Sequence, residues 1–213
     1  MDAAKKIYQI RMSPLRYLNK NTGHLIIFTD ITELKELQLQ LERQAYYDEL
    51  TQIYNRRAFY RKCEQDYADA LKNVSPFTVI LLDIDHFKAV NDTYGHQIGD
   101  QVIVHVVNAC KTQLPDAALF ARYGGEEFVI ALNGYSQSEG LALANEICTY
   151  VAALCCDTEA GSIPVTISLG VAEASYGTEE TLHQLLNKAD LALYAAKDAG
   201  RNRAVANKEY VNI

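Results

Sequence analysis

The chain has 213 residues, 49% of them hydrophobic, which is enough for one well-buried domain with an appendage and too little for two full domains. Its formal charge of −7 is unevenly placed: residues 1–47 carry 7 basic and 5 acidic side chains, residues 48–213 carry 13 and 22. Binding a phosphate backbone needs clustered cations, so this balance argues against long nucleic acid as a partner; a single nucleotide fits only if a divalent cation screens its phosphates.

No run approaches the ~18 consecutive apolar residues of a membrane span, and the opening "MDAAKKIYQIRMS" lacks the apolar core of a signal peptide. The expectation is a soluble, cytoplasmic piece, with membrane anchoring of a longer protein left open. Cys63, Cys110, Cys148, Cys155 and Cys156 are odd in number and without paired metal spacing, which predicts reduced thiols. The vicinal pair Cys155–Cys156 reads as small buried hydrophobes near a helix end.

In chain order, "KIYQIRMSPL" (6–15) alternates apolar and polar residues, and "NKNTG" marks a turn before the strand "HLIIFTDIT" (24–32). This is a hairpin without a core of its own. "DITELK" (30–35) resembles the last strand and exit of PAS sensor domains, so residues 1–31 are expected to be the C-terminal end of a PAS-like sensor belonging to a longer protein. Residues 32–47 contain no glycine or proline and predict a linker helix, capped by Thr32 or Asp30. Leu34, Leu37 and Leu41 fit a heptad seam, and Ile31, Leu34, Leu41 and Ala45 a competing one. Both are short, so the helix is either a weak dimer contact or an amphipathic helix lying on its own domain.

Further on, a helix over about 55–71 leads to the apolar strand "FTVILLDID" (77–85), an irregular polar segment "HFKAVNDTYGHQIGD" (86–100) and an apolar-rich helix to about residue 114. A strand pair across Gly124–Gly125 follows, then a helix over 138–154 and the strand "PVTISLGVAEA" (164–174). The last helix is expected to be capped by Thr178, with Glu179 and Glu180 in its first turn and Gly200 at its end. Alternating helices and strands with one tight hairpin predict a mixed sheet in an α/β (α+β) fold.

Two acidic groups stand out. "RYGGEEF" (122–128) puts Glu126 and Glu127 after a Gly-Gly turn whose central positions are both expected at positive φ; adjacent like charges there gain nothing structurally. Asp83 and Asp85 end a strand that should be buried, where an unpaired carboxylate is costly. A partner is required: Arg122, a helix N-terminus or a metal ion. If Asp83 and Glu126 lie on neighbouring strands, their oxygens suit a hard cation such as Mg²⁺, with water and substrate phosphates completing the shell. His86 has no companions at zinc spacing and reads as an exposed or supporting residue.

"DELTQIYNRR" (48–57), "DIDHFKAVNDTYGHQIGD" (83–100), "RYGGEEF" (122–128), "VTISLGVA" (165–172) and "ADLALYAAKDAGRN" (189–202) together resemble the GGDEF family, the diguanylate cyclases of bacteria, in the family's own order. The resemblance implies a nucleotidyl-cyclase or palm-like mixed sheet of about five strands over residues 48–208. It also implies condensation of two GTP into cyclic di-GMP with release of pyrophosphate, with two Mg²⁺ (or Mn²⁺) ions per site. By the same resemblance, Asp83, the carbonyl of Ile84 and Glu126 hold metal, and Glu126 also accepts the 3′-hydroxyl proton. Lys88 stabilises charge on the phosphates, while Phe87, Asn91, His96 and Asp100 contact guanine and substrate. Lys197 and Arg201 reach the triphosphate. Asp100 favours GTP over ATP, and catalysis implies a homodimer, driven by an upstream sensor through the linker helix.

The chain departs from the family at two places. The window of the inhibitory Arg-x-x-Asp site, residues 115–118, reads "PDAA", which predicts no strong feedback inhibition there, and Gln52 stands where a glycine is common. The rival readings are a domain that holds GTP without turnover, a purely structural dimerising domain, and a cyclic GMP–AMP synthase.

Overall fold

The computed structural model describes residues 5–17, 20–177 and 179–208, and the chain divides at Ala45/Tyr46 into two compact units. The first holds an antiparallel hairpin, β1 (Tyr8–Tyr17) and β2 (Lys20–Asp30), and nearly all of helix α1 (Thr32–Tyr46). Pairing of Ile10 with Phe28 and Met12 with Ile26 gathers those four side chains on one hairpin face, where all are exposed. The Asp30 carboxylate accepts from the Thr32 N–H (3.0 Å) and hydroxyl (2.6 Å), which caps the start of α1. Helix α1 buries no residue; Leu34, Leu37 and Leu41 are exposed.

The second unit is built on a six-stranded sheet. Its elements are β3 (Tyr54–Asn55), α2 (Arg56–Asn73), β4 (Phe77–Ile84), α3 (Phe87–Tyr94), α4 (His96–Gln113), β5 (Leu119–Gly124), β6 (Glu127–Asn133), α5 (Gln137–Ala153), β7 (Cys155–Thr158), β8 (Gly161–Pro164), β9 (Ile167–Glu173), α6 (Leu182–Asp198) and β10 (Arg203–Ala206). The strand order is β10-β9-β4-β6-β5-β3. The central strands β9, β4, β6 and β5 are antiparallel, and the short edge strands β10 and β3 add parallel pairs.

Every residue of β4 is buried, because both faces of the sheet are covered. Alternation sends Ile80, Leu82 and Ile84 into one core with α4 and α5, and Phe77, Val79 and Leu81 into a second with α2 and α6. Asp83 shares the parity of the second set, so it faces the α6 side. Gly170 of β9 sets how closely α6 approaches: a Cβ there would lie 2.1 Å from the Ala189 carbonyl oxygen and 2.2 Å from the Leu193 nitrogen. Glycine lets the helix backbone rest on the strand, which carries the end of α6 to the end of β4.

The sequence expectation of a mixed sheet of about five strands becomes six, of which β3 and β10 are short edges. The segment expected to be irregular contains α3, and residues 155–164 form the β7–β8 hairpin, in which Cys155 is exposed and Cys156 buried. The strand expected over 164–174 therefore begins at Ile167. The expected cap Thr178 lies outside the described residues; α6 starts at Leu182 with Thr181 and Gln184 in a capping box, and Glu179 and Glu180 precede the helix. The Glu180 carboxylate instead pairs with Lys188 at 2.6 Å.

Candidate active site

The hairpin tip differs from a plain Gly-Gly turn. A bulge between Arg122 and Gly124 lets Gly124 end β5 opposite Glu127, so the two loop residues are Gly125 and Glu126, and only Gly125 has positive φ, +41°. Glu126 thus sits on the bend itself. Its backbone carbonyl accepts from the Ile84 N–H at 3.4 Å, which sets it beside the last residue of β4. The N–H and C=O of one strand residue point toward the same neighbour, so the Ile84 carbonyl is also directed at this bend.

Arg122 stiffens the tip from beneath. Its Nε donates to the Gly125 carbonyl at 2.8 Å, and its Nη1 lies 3.1 and 3.2 Å from the two Asp48 oxygens. Arg122 is therefore not the partner of Asp83. That partner is Lys197, in the last turn of α6, whose Nζ is 2.8 Å from Asp83 Oδ2. Asp83 is only 8% exposed. Burial holds its carboxyl above the usual carboxylate range despite the Lys197 bond and charge, and the neighbouring charges of Glu126 and Asp85 push the same way.

Asp85 has a different fate. Its Oδ1 accepts from the Ser168 hydroxyl (2.7 Å), and its Oδ2 from the Thr166 hydroxyl (2.8 Å) and the Asn202 N–H (3.0 Å). Three donors tie this buried acid to the protein, whereas among the described residues the ion pair to Asp83 comes from a side chain that is 31% exposed.

Glu127, conspicuous in the sequence beside Glu126 but given no role there, stands directly opposite Asp83 on β6 and on the same face of the sheet. Burial raises its carboxyl, then the Asp83 charge, with Lys197 acting against them and Glu126 and Asp190 adding to the rise.

A second group lies on α3, α4 and the junction between them. Phe87 is buried at the start of α3, in the same core as Ile84 and Ile98. The Oδ1 of Asn91 is buried and has no hydrogen-bond partner among the described residues. It packs against Gly99, where a Cβ would come within 1.9 Å of it and 3.2 Å of Phe87 Cζ. His96, the first residue of α4, and Asp100, four residues further along it, are exposed, as is Lys88 on α3. Arg201 follows α6 in a left-handed turn formed with Gly200 and Asn202. The structure thus brings Asp83, Ile84, Glu126 and Lys197 together at the end of β4, and Phe87 and Asn91 together beside Gly99.

This is an α/β domain whose antiparallel centre gathers carboxylates and a lysine at one strand end and leaves an unpartnered amide oxygen nearby. The model of the family described as "Diguanylate cyclase, GGDEF domain" matches residues 45–203, and the chain belongs to that family. Among curated relatives, the diguanylate cyclase DgcM of Escherichia coli K12 is 37% identical over 182 residues, covering 85% of this chain and 43% of the relative. The chain thus spans less than half the length of that relative. Among solved structures, the coiled coil and GGDEF domain of DgcB from Caulobacter crescentus, in complex with c-di-GMP, aligns with a TM-score of 0.77 at 35% identity, covering 83% of this chain and 93% of that one. An active GGEEF domain of a diguanylate cyclase from Vibrio cholerae aligns with a TM-score of 0.68 at 30% identity, covering 73% of this chain and 97% of that one.

Proposed function

We propose that this chain condenses two GTP into cyclic di-GMP and two pyrophosphates. The observation that carries the reading is the convergence of Asp83, Glu126 and the Ile84 carbonyl at the end of β4, with Lys197 beside them, in a chain of the GGDEF family. The donors are all oxygens, the set a hard divalent cation takes. Among the described residues no group of three or more His, Cys, Asp or Glu side chains is arranged to hold a metal ion. Two acids and a carbonyl therefore fit a cation whose remaining ligands come from water and the substrate's phosphates. Bound there, two Mg²⁺ or Mn²⁺ ions would lower the pKa of the attacking hydroxyl and neutralise the leaving pyrophosphate.

The chain's own residues supply the rest. The 3′-oxygen of each GTP in turn forms a bond to the α-phosphorus of the other as the bond from that phosphorus to its bridging oxygen breaks, so that two bonds close the ring and two pyrophosphates leave. Glu126, on the bend, accepts the hydroxyl proton. Lys88, Lys197 and Arg201 meet the phosphate charge. The unpartnered Asn91 Oδ1 is an acceptor for the donor edge of guanine, with Phe87 as the wall behind it and His96 and Asp100 at the rim.

One such centre holds one GTP, so a second copy of the chain must face it with substrate inverted. Exposed Leu34, Leu37 and Leu41 on α1 support residues 32–47 as the dimerising and signalling helix. Residues 1–31 are proposed as the closing part of an upstream PAS-like sensor, supported by a hairpin with an exposed apolar face that runs straight into α1. Residues 48–208 are the proposed cyclase domain, without a primary Arg-x-x-Asp product site.

Mass analysis of products from GTP, ATP and their mixture with Mg²⁺, over a series of protein concentrations, tests this. Cyclic di-GMP from GTP alone, at a rate rising faster than linearly with protein, is expected. Bound GTP with no product would favour a non-catalytic domain, and mixed product with ATP present would favour cyclic GMP–AMP synthesis.

A further inference from the structure

We infer that Asp85 is a positioning residue for Arg201: its carboxylate holds the turn after α6 in the shape that fixes the Arg201 backbone between the last turn of α6 and the segment after β4. This rests on the reading above, in which Arg201 binds the triphosphate.

The turn is conformationally demanding. Gly200, Arg201 and Asn202 are consecutive and all left-handed, with φ of +108°, +63° and +48°. Glycine adopts that region freely and asparagine tolerates it, but arginine has no intrinsic preference for it. Something outside the turn must therefore hold it. On one side the Arg201 N–H donates to the Ala196 carbonyl at 3.0 Å, adjacent to Lys197, which itself binds Asp83. On the other side the Asn202 N–H donates to Asp85 Oδ2 at 3.0 Å, two residues beyond Asp83. Arg201 is thus suspended between the two elements that form the acid–lysine pair.

Asp85 suits this role because it is itself fixed. Ser168 and Thr166 hold its two oxygens from β9 and the loop before it, and Oδ2 keeps a further acceptor direction, which the Asn202 N–H takes. Asn202 has a second contact, its Oδ1 lying 3.5 Å from Cys148 Sγ on α5. A carboxylate that only filled the core would not need a backbone amide from a segment 117 residues away.

An amide at position 85 can keep the arrangement: its oxygen accepts from Thr166 and Asn202, and its NH₂ faces the Ser168 hydroxyl, which rotates to accept. Removal of the side chain cannot. The test measures binding of guanosine 5′-[α,β-methylene]triphosphate with Mg²⁺ by calorimetry, together with amide hydrogen exchange at Asn202. Asp85→Ala should weaken binding about tenfold, as should Arg201→Ala, and the double variant should be no weaker than Arg201→Ala by more than about twofold, because both changes remove one interaction. Asp85→Asn should stay within about threefold of wild type. Exchange at Asn202 should accelerate in Asp85→Ala and not in Asp85→Asn. If Asp85→Ala fails to fold, Thr166→Val, which removes one anchor of the carboxylate, should show the same pattern at smaller size.

Equal loss from Asp85→Ala with or without Arg201 would overturn the inference, as would unchanged exchange at Asn202. Wild-type protein that binds no guanine nucleotide would defeat the functional reading instead. The exchange rates would then decide whether Asp85 holds this turn: no acceleration in Asp85→Ala overturns that, and acceleration upholds it.

Discussion

Asp83 Oδ2 and Lys197 Nζ stand 2.8 Å apart, joining the end of the central strand to the last turn of the final helix. In the absence of nucleotide this lysine is the counter-charge that makes a buried carboxylate tolerable. In the proposed function it is also the cation that the triphosphate recruits, which would give one side chain both tasks. Lys197→Ala should destabilise the fold by about 2 kcal/mol, because it leaves Asp83 buried and unpaired. Asp83→Asn in that background should recover most of the loss, since a neutral amide needs no counter-charge. Urea denaturation of the two single variants and the double one measures this; additive losses would show that the pair carries no coupling.

The Asp48–Arg122 pair gives a pH signature. Burial pushes the Asp48 carboxyl up, but the Thr51 hydroxyl and N–H and the Arg122 charge and hydrogen bond outweigh it, and the net position is below the ordinary value of 3.8. A depressed folded value stabilises the protein above the unfolded value and ceases to do so as pH falls through the folded one. Asp48→Asn should therefore lower stability by about 1 kcal/mol near neutrality. The gap to wild type should hold until about pH 4 and close below it, as followed by denaturation from pH 7 to pH 2.

Gly99→Ala separates folding from recognition. Within α4 alanine is favoured over glycine by about 1 kcal/mol. The new methyl, however, would lie 1.9 Å from the present position of Asn91 Oδ1 and must displace that flexible side chain. The expected result is a fold at least as stable as wild type by thermal denaturation, with KM for GTP raised about tenfold and kcat less affected.

Gly170→Ala should act on the fold alone. Its methyl would meet backbone atoms of α6 at 2.1 and 2.2 Å, and backbone cannot rotate away as a side chain can. A loss of more than about 3 kcal/mol, or failure to fold, is expected in chemical denaturation.

The central strand was legible because eight apolar-rich residues buried on both faces leave a continuous signal, and an acid at its end breaks that signal conspicuously. The edge strands β3 and β10 were not legible: two and four residues establish no period. Helix α3 was hidden by its polar residues, which face solvent on a short helix beside the site. Gln52 was noted as a departure from glycine, and it does adopt φ of +55°, with its amide bonded to the Glu49 carbonyl at 2.8 Å. The partner of Asp83 and the anchoring of Asp85 could not be read at all, since they depend on where α6 and the turn after it come to rest on the sheet. Local pattern identifies the acids; only tertiary packing assigns each one its counter-charge.

For the proposed chemistry, Asp83 and Glu126 must share a divalent cation beneath the phosphates. Anomalous scattering from Mn²⁺ in crystals grown with the α,β-methylene GTP analogue measures that directly. The prediction is a Mn²⁺ peak bridging carboxylate oxygens of Asp83 and Glu126 at about 2.1 Å from each, with Lys197 turned from Asp83 to the phosphates. Nucleotide bound with no metal between those two acids, and the Asp83–Lys197 pair intact, would contradict it.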